Sequence, residues 1–184
     1  DSFFLGVAFL ARTRAKVNLM SSAVTRQPEV DEAVTRHFSD KYRGLEHYLN
    51  GGKVLDMEAG LRQFYRILER GEILVVLGDA PVLPDGVSAQ VNFLGARRQL
   101  AGGALRMAQH SDSELGAYVC RHVSGHHYRL ELSTIGPADD PRSIDAAYAF
   151  LGSAIEADPG RWWGADLLIN LPPSPQSREQ ESAV

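Results

Sequence analysis

Apolar positions fall into two kinds of run along this chain. One kind is continuous: Ile73-Leu74-Val75-Val76-Leu77 has no polar position. It predicts a strand buried on both faces, as in a parallel sheet covered by helices. Arg70-Gly71 before it reads as a helix end and its glycine stop. Asp79 follows at the strand's carboxyl end, in a loop that Pro81, Pro84 and Asp85-Gly86 keep out of regular structure. Open α/β sheets bind ligands outside such ends.

The other kind is periodic. Val30, Ala33, Val34, His37 and Phe38 recur at helical spacing and predict a helix over 28–43, with Pro28 in its first turn. Leu61, Phe64, Tyr65 and Leu68 mark one face of a helix over 57–70, with Asp56 as its N-cap. Further helices are predicted over 2–12, 100–109 and 144–157. Strands are predicted over 17–20, 53–56 and 89–94, and a hairpin over 115–121 and 128–133, turning at Ser124-Gly125. Asn50-Gly51-Gly52 reads as a turn, and Trp162, Trp163 and 167–171 as a last apolar segment. The βαβα order implies an α/β fold with a mostly parallel central sheet flanked by helices, the late strands antiparallel. No internal boundary is visible, so 1–171 reads as one domain. Residues 172–184, rich in Pro, Ser, Gln and Glu, read as a disordered tail.

Composition adds exclusions. The 184 residues suit one α/β domain with a full core. The net charge of -4 gives no electrostatic case for nucleic acid. The single Cys120 excludes an internal disulfide and a cysteine-rich metal site, and no paired base marks it as reactive. No apolar run reaches the ~18 residues of a bilayer span. The chain starts at Asp1, without an initiator Met, on an already apolar helix. It therefore reads as a piece of a longer protein.

Candidate chemistry is sparse. His122, His126 and His127 invite a metal reading, but they straddle a hairpin turn with no acid in the same stretch, which favours a solvated turn. His37 sits on an apolar stripe and reads as a core histidine. Arg36, near Glu29, Asp31 and Glu32, fits i,i+4 ion pairs on a wet face. Arg97-Arg98 reads as a basic loop or a phosphate holder. Gly102-Gly103 opens a helix and reads as packing glycine or as a place of close ligand approach. Asp79 is either a site carboxylate or a loop acid capping backbone N–H groups.

Several segments together resemble a known family. Arg70-Gly71-Glu72, the apolar strand and Asp79 are followed by Val91-Asn92-Phe93-Leu94-Gly95. Then come the small-residue run from Ala101 to Ala108 and Asp158-Pro159-Gly160-Arg161-Trp162-Trp163. In this order they resemble the bacterial lipid A biosynthesis lauroyl/myristoyl acyltransferases, within the lysophospholipid acyltransferase superfamily. The likeness covers about residues 1–173.

The resemblance implies a glycerolipid-acyltransferase-like fold and an activity. A fatty acyl group would pass from an acyl carrier protein or acyl-CoA thioester to a hydroxyl of a lipid or glycolipid, with no cofactor beyond the donor. The protein would work at the cytoplasmic face of the bacterial inner membrane, on the membrane surface, held there peripherally or by an upstream segment.

The family's catalytic motif is a His with an acid five positions on, at the start of an apolar helix. Asp1 matches the acid, and the His would lie five residues before it, so the fragment is expected to be inactive alone. His126 has Glu131 at that spacing, but on a late hairpin, outside the motif's context. By the same resemblance Asp79 matches the acid after the central strand, and Arg36 falls near the family's arginine. Phe3, Phe4 and Val7 would line an acyl groove. Family members carry Asp-Gln or Asp-His where this chain has Asp79-Ala80. They carry a basic segment after the tryptophan, where this chain has Gly164 to Asn170 without a basic residue. That departure leaves open a different hydroxyl acceptor. Two other readings stand: a non-catalytic acyl-chain or partner-binding module on the same fold, and an unrelated α/β protein in which Asp79 is a structural cap.

Overall fold

A computed structural model describes residues 2–21, 30–82, 86–162 and 164–171. It is mixed α/β, with a three-stranded parallel sheet and two two-stranded sheets. Although the sequence offers no internal boundary, these residues form two compact units. The first is Asp1–Val76 with Cys120–Leu130, and the second is Leu77–Val119 with Glu131–Val184. Asp1 and the 172–184 tail lie outside the described residues.

In the first unit, α1 (Ser2–Leu10) leads through a 3-10 turn to β1 (Val17–Ser21). Helix α2 (Glu32–Glu46) is followed by β2 (Val54–Asp56), then α3 (Arg62–Glu69) and β3 (Ile73–Val75). The strand order β2-β1-β3 is parallel throughout, with Leu19 opposite both Val54 and Val75. Parallel neighbours need crossovers, and α2 and α3 supply them. The middle strand is therefore β1, not the 73–77 run.

That run is also shorter and wetter than predicted. β3 covers only Ile73–Val75, and Leu77 is 58% exposed. A lone apolar run cannot distinguish an edge strand from a central one, because its partners lie elsewhere in the chain. Val7, Val17, Leu19, Leu49, Phe64 and Ile67 make the core.

The helices depart from prediction where caps or packing override periodicity. Asp31 caps α2 by accepting from the Ala33 N–H at 2.7 Å, and the helix runs on through Gly44. Pro28 lies outside the described residues. Val34 and His37 are exposed, so His37 is not a core histidine; its ring stands edge to face with the Phe38 ring, centroids 5.7 Å apart. Asp56 does cap, accepting from the Glu58 N–H, but it caps a single 3-10 turn. Gly60, at φ 109°, breaks the run, and α3 starts at Arg62. Its buried face is Phe64 and Ile67, whereas Leu61 is 54% exposed.

The predicted Asn50-Gly51-Gly52 turn forms, with Asn50 and Gly51 both at positive φ. The Asn50 amide donates to the Ala11 and Ala15 carbonyls. Glu72, 11% exposed, joins the strands' entry: it accepts from Asn18 at 2.9 Å and pairs with Arg70 and Lys16.

In the second unit, β4 (Ser88–Phe93) and β5 (Ala96–Ala101) form an antiparallel pair with Phe93 opposite Ala96. The turn between them is Leu94-Gly95, both at positive φ, the backbone of a two-residue hairpin turn. The sequence reading ended at Gly95 and took Arg97-Arg98 for a loop; both lie on β5. Helix α4 (Gly103–His110) consequently starts three residues later than predicted. Gly102 is a packing glycine: a Cβ there would lie 2.7 Å from the Ser88 carbonyl carbon. Helix α5 (Pro141–Ala157) is capped by Asp140, which accepts from the Arg142 N–H, and it packs on β4. Ala165–Asn170 is a 3-10 helix. The remaining pair, β6 (Glu114–Ser124) and β7 (His127–Pro137), is the predicted hairpin, longer than expected at both ends; its base belongs to the second unit and its end, Cys120–Leu130, to the first.

Candidate functional site

The second unit's core gathers Val91, Phe93, Leu100 and Leu171, with Leu94, Ile144, Tyr148, Leu151, Ile155 and Trp162 against them. Strand alternation explains the first three. Val91 and Phe93 share one face of β4, and Leu100 is their counterpart on β5. Arg98 lies on that same inward face and is buried. Its Nε–H donates to the Phe93 carbonyl at 3.0 Å, Nη2 to the Leu94 carbonyl at 3.4 Å, and Nη1 to the Leu171 carbonyl. A buried guanidinium spent on three carbonyls is structural, so it does not hold a phosphate. Arg97, on the opposite face, donates to Gln90 at 3.0 Å.

Asp79 lies at the edge of this core, half-buried. The Trp162 indole Nε1–H donates to its Oδ2 at 2.8 Å. The neighbouring Gly78 carbonyl accepts from the Tyr148 hydroxyl at 2.7 Å. Burial, with the Asp79 charge adding to it, pushes the Tyr148 phenol up to about 12. Phe93 stands edge-on to both Tyr148 and Trp162, with ring centroids 5.6 and 6.1 Å away. Gly164 closes the arrangement: a Cβ there would lie 2.9 Å from Asp79 Oδ2 and 2.7 Å from Trp162 Nε1. Any side chain at 164 would therefore press on the hydrogen bond between them.

The same indole borders an open apolar groove of about 440 Å³. Leu94, Gly95, Ile155, Pro159, Trp162 and Leu168 are among its lining, with Glu156 as its charged member. Grooves of this size accept small molecules or a stretch of alkyl chain. Trp162 is the link, since it lines the groove and holds the Asp79 carboxylate.

The other sequence candidates lie in the first unit. Asp1 is outside the described residues. Val7 is fully buried, a core side chain, while Phe3 and Phe4 are half-buried and meet edge to face at 5.3 Å. Lys41 Nζ sits 4.2 Å from the Phe4 ring centroid. Arg36 is exposed and pairs with Glu32 at 2.8 Å, the i,i+4 pair on a wet face. Phe3, Phe4, Val7 and Arg36 are thus held within one unit and Asp79 within the other.

Among the described residues, no three His, Cys, Asp or Glu side chains come together as metal ligands. His122 Nε2 lies 2.9 Å from the Gly125 carbonyl, and the ring contacts Tyr128, as in a hairpin turn. Cys120 is half-buried, and burial raises its thiol above the ordinary range, which disfavours the reactive thiolate. No described helix is long and apolar enough to cross a membrane.

Sequence reasoning missed three parts of the site. The Leu94-Gly95 turn between alternating runs was a usable hairpin signal, and it would have put Arg98 on the inward face. Trp162 was legible only as part of an apolar segment and a motif, and Tyr148 not at all, because their hydrogen-bond partners lie 83 and 70 residues away. No protein-family model matches this chain, and no curated protein matches it.

Proposed function

We propose that the protein is an O-acyltransferase of the lysophospholipid-acyltransferase kind, with a glycerolipid-acyltransferase-like fold. It moves a fatty acyl group from an acyl carrier protein or acyl-CoA thioester to a hydroxyl of a lipid or glycolipid, at the cytoplasmic face of the bacterial inner membrane. The single observation that carries the reading is Trp162. One side chain borders an apolar groove of alkyl-chain size and also binds the Asp79 carboxylate. The order of the sequence motifs is the second support.

In this reaction the acceptor hydroxyl attacks the thioester carbonyl. A carbon–oxygen bond forms, the carbon–sulfur bond breaks, and the hydroxyl proton passes through a general base to the leaving thiolate. By the resemblance, the base is a histidine five residues upstream of Asp1, and the Asp1 carboxylate holds its tautomer. Asp79 and Trp162 orient the groove that receives the chain.

One observation favours a second reading, a non-catalytic acyl-chain-binding module. Asp79 Oδ2 is occupied by the indole N–H, and Gly164 leaves it little space. A carboxylate oxygen so held fixes the groove wall.

The test is acyl transfer by the full-length protein with its upstream residues. Labelled acyl carrier protein and acyl-CoA donors are offered with a membrane lipid extract, beside Asp79→Ala. Transfer that collapses in the variant supports the enzyme and gives Asp79 a site role. Transfer that persists in Asp79→Ala keeps the enzyme and leaves Asp79 structural. Acyl-chain binding with no transfer from any donor supports the module, and neither binding nor transfer overturns both.

A further inference from the structure

The β6–β7 hairpin is a ribbon of two 11-residue strands, about twice the usual strand length, and no third strand among the described residues pairs with it. All eight residues from His122 to Arg129 at its end are exposed.

The end has a distinct chemistry. From Leu115 to Leu130 there is no acid, whereas Arg121, Arg129, His122, His126 and His127 all fall there. The whole chain is at -4, and without those two arginines the remainder is at -6. Val123, 51% exposed, and Tyr128, 38% exposed, stand among these groups. An aliphatic side chain, a tyrosine and arginines together match the interfacial zone of a bilayer, where aromatic rings sit at headgroup depth and arginines meet lipid phosphates.

We infer that the hairpin end, His122 to Arg129, docks on an anionic phospholipid surface. Val123 and Tyr128 enter the interface, and Arg129 lies among the headgroups. Nucleic acid is the poorer partner. Its binding rests on many phosphate contacts, and the acidic remainder of the chain opposes a polyanion over its whole length. A bilayer also rewards the two exposed apolar side chains, a gain that salt does not screen. The inference stands whether or not the protein transfers acyl groups.

Co-sedimentation of the full chain with vesicles tests it. One set is phosphatidylcholine alone, and the other contains a third phosphatidylglycerol. The protein should partition at least fivefold more onto the anionic vesicles. Arg129→Glu should remove most of that preference, and V123S/Y128S should remove the binding that survives high salt. Arg106→Glu, an equal charge change on exposed α4, should leave both unchanged. Far-ultraviolet circular dichroism of each variant establishes that the fold is kept. An equal loss in Arg106→Glu would show bulk charge alone and overturn the inference. So would failure of the parent chain to bind either vesicle, or binding to a single-stranded oligonucleotide in preference to vesicles.

Discussion

Trp162 donates its indole N–H to Asp79 across 2.8 Å, joining positions 83 residues apart. Hydrogen bonds to a charged acceptor are worth more than neutral ones, about 1.5–3 kcal/mol. Trp162→Phe keeps most of the ring and removes the donor. It should lower the unfolding free energy by about 1–2 kcal/mol in urea titration and weaken binding of an alkyl-chain probe in the groove. Gly164→Ala should act the same way with Trp162 intact, since the new methyl would meet both partners. Unchanged stability and probe binding in both variants would deny the pair any structural role.

Arg98 should be the least replaceable surface-type residue of the second unit. Arg98→Ala leaves three carbonyls without their donor and opens a void, for a loss of about 3 kcal/mol or more. Arg98→Lys should recover little of it, because an ammonium cannot span three separated acceptors as the planar guanidinium does. Thermal melting of the two variants against the parent measures this. A full rescue by lysine would mean that charge alone matters there.

Glu72 couples stability to acid. Its hydrogen bond from Arg70, with those from Asn18 and Lys16, brings its carboxyl down to about 2. A carboxylate depressed in the folded state stabilises above its unfolded value, and that contribution fades as pH falls from about 4.5 towards 2. Arg70 and Lys16 remain 52% and 41% exposed, so screening limits the effect to about 1–2 kcal/mol. Glu72→Gln should flatten this part of the stability–pH curve. A parallel slope in the variant would assign acid sensitivity to other groups.

Tyr148 couples stability to alkali with the opposite sign. Its phenol is pushed up to about 12, first by burial and then by Asp79. A group raised in the folded state stabilises below its unfolded value near 10, and the contribution is lost as pH rises towards 12. Ultraviolet difference titration should show one tyrosine ionising late, and Tyr148→Phe should remove that step. The same variant loses the bond to the Gly78 carbonyl, at a cost of about 1 kcal/mol.

Gly52→Ala should prevent the first unit from folding. A Cβ at this position would sit 1.7 Å from the Val17 carbonyl oxygen, a side-chain atom driven into backbone at the start of the middle strand. Expression as insoluble or unfolded chain is the expected outcome. A stable, cooperative Gly52→Ala protein would require β1 to start differently.

Local pattern by itself determined the kinds of element and most of their places. The apolar runs at Val17–Met20 and Ile73–Val75 became strands, Asn50-Gly51 became a turn, and Phe64 with Leu68 lay on a helix. These depend on side-chain period and turn chemistry, which act within a few residues. Only the tertiary structure decided what depends on distant partners. It made β1 rather than the 73–77 run the middle of the sheet, since both neighbours of β1 come from later in the chain. It left His37 and Leu61 in solvent, because periodicity marks a face but not whether anything covers it. It turned Arg98 inward, because the residue's face follows from its pairing with β4. It also gave Asp79 its partner: a loop carboxylate reads alike in sequence whether it caps, catalyses or holds a tryptophan, and only the fold brings the indole to it.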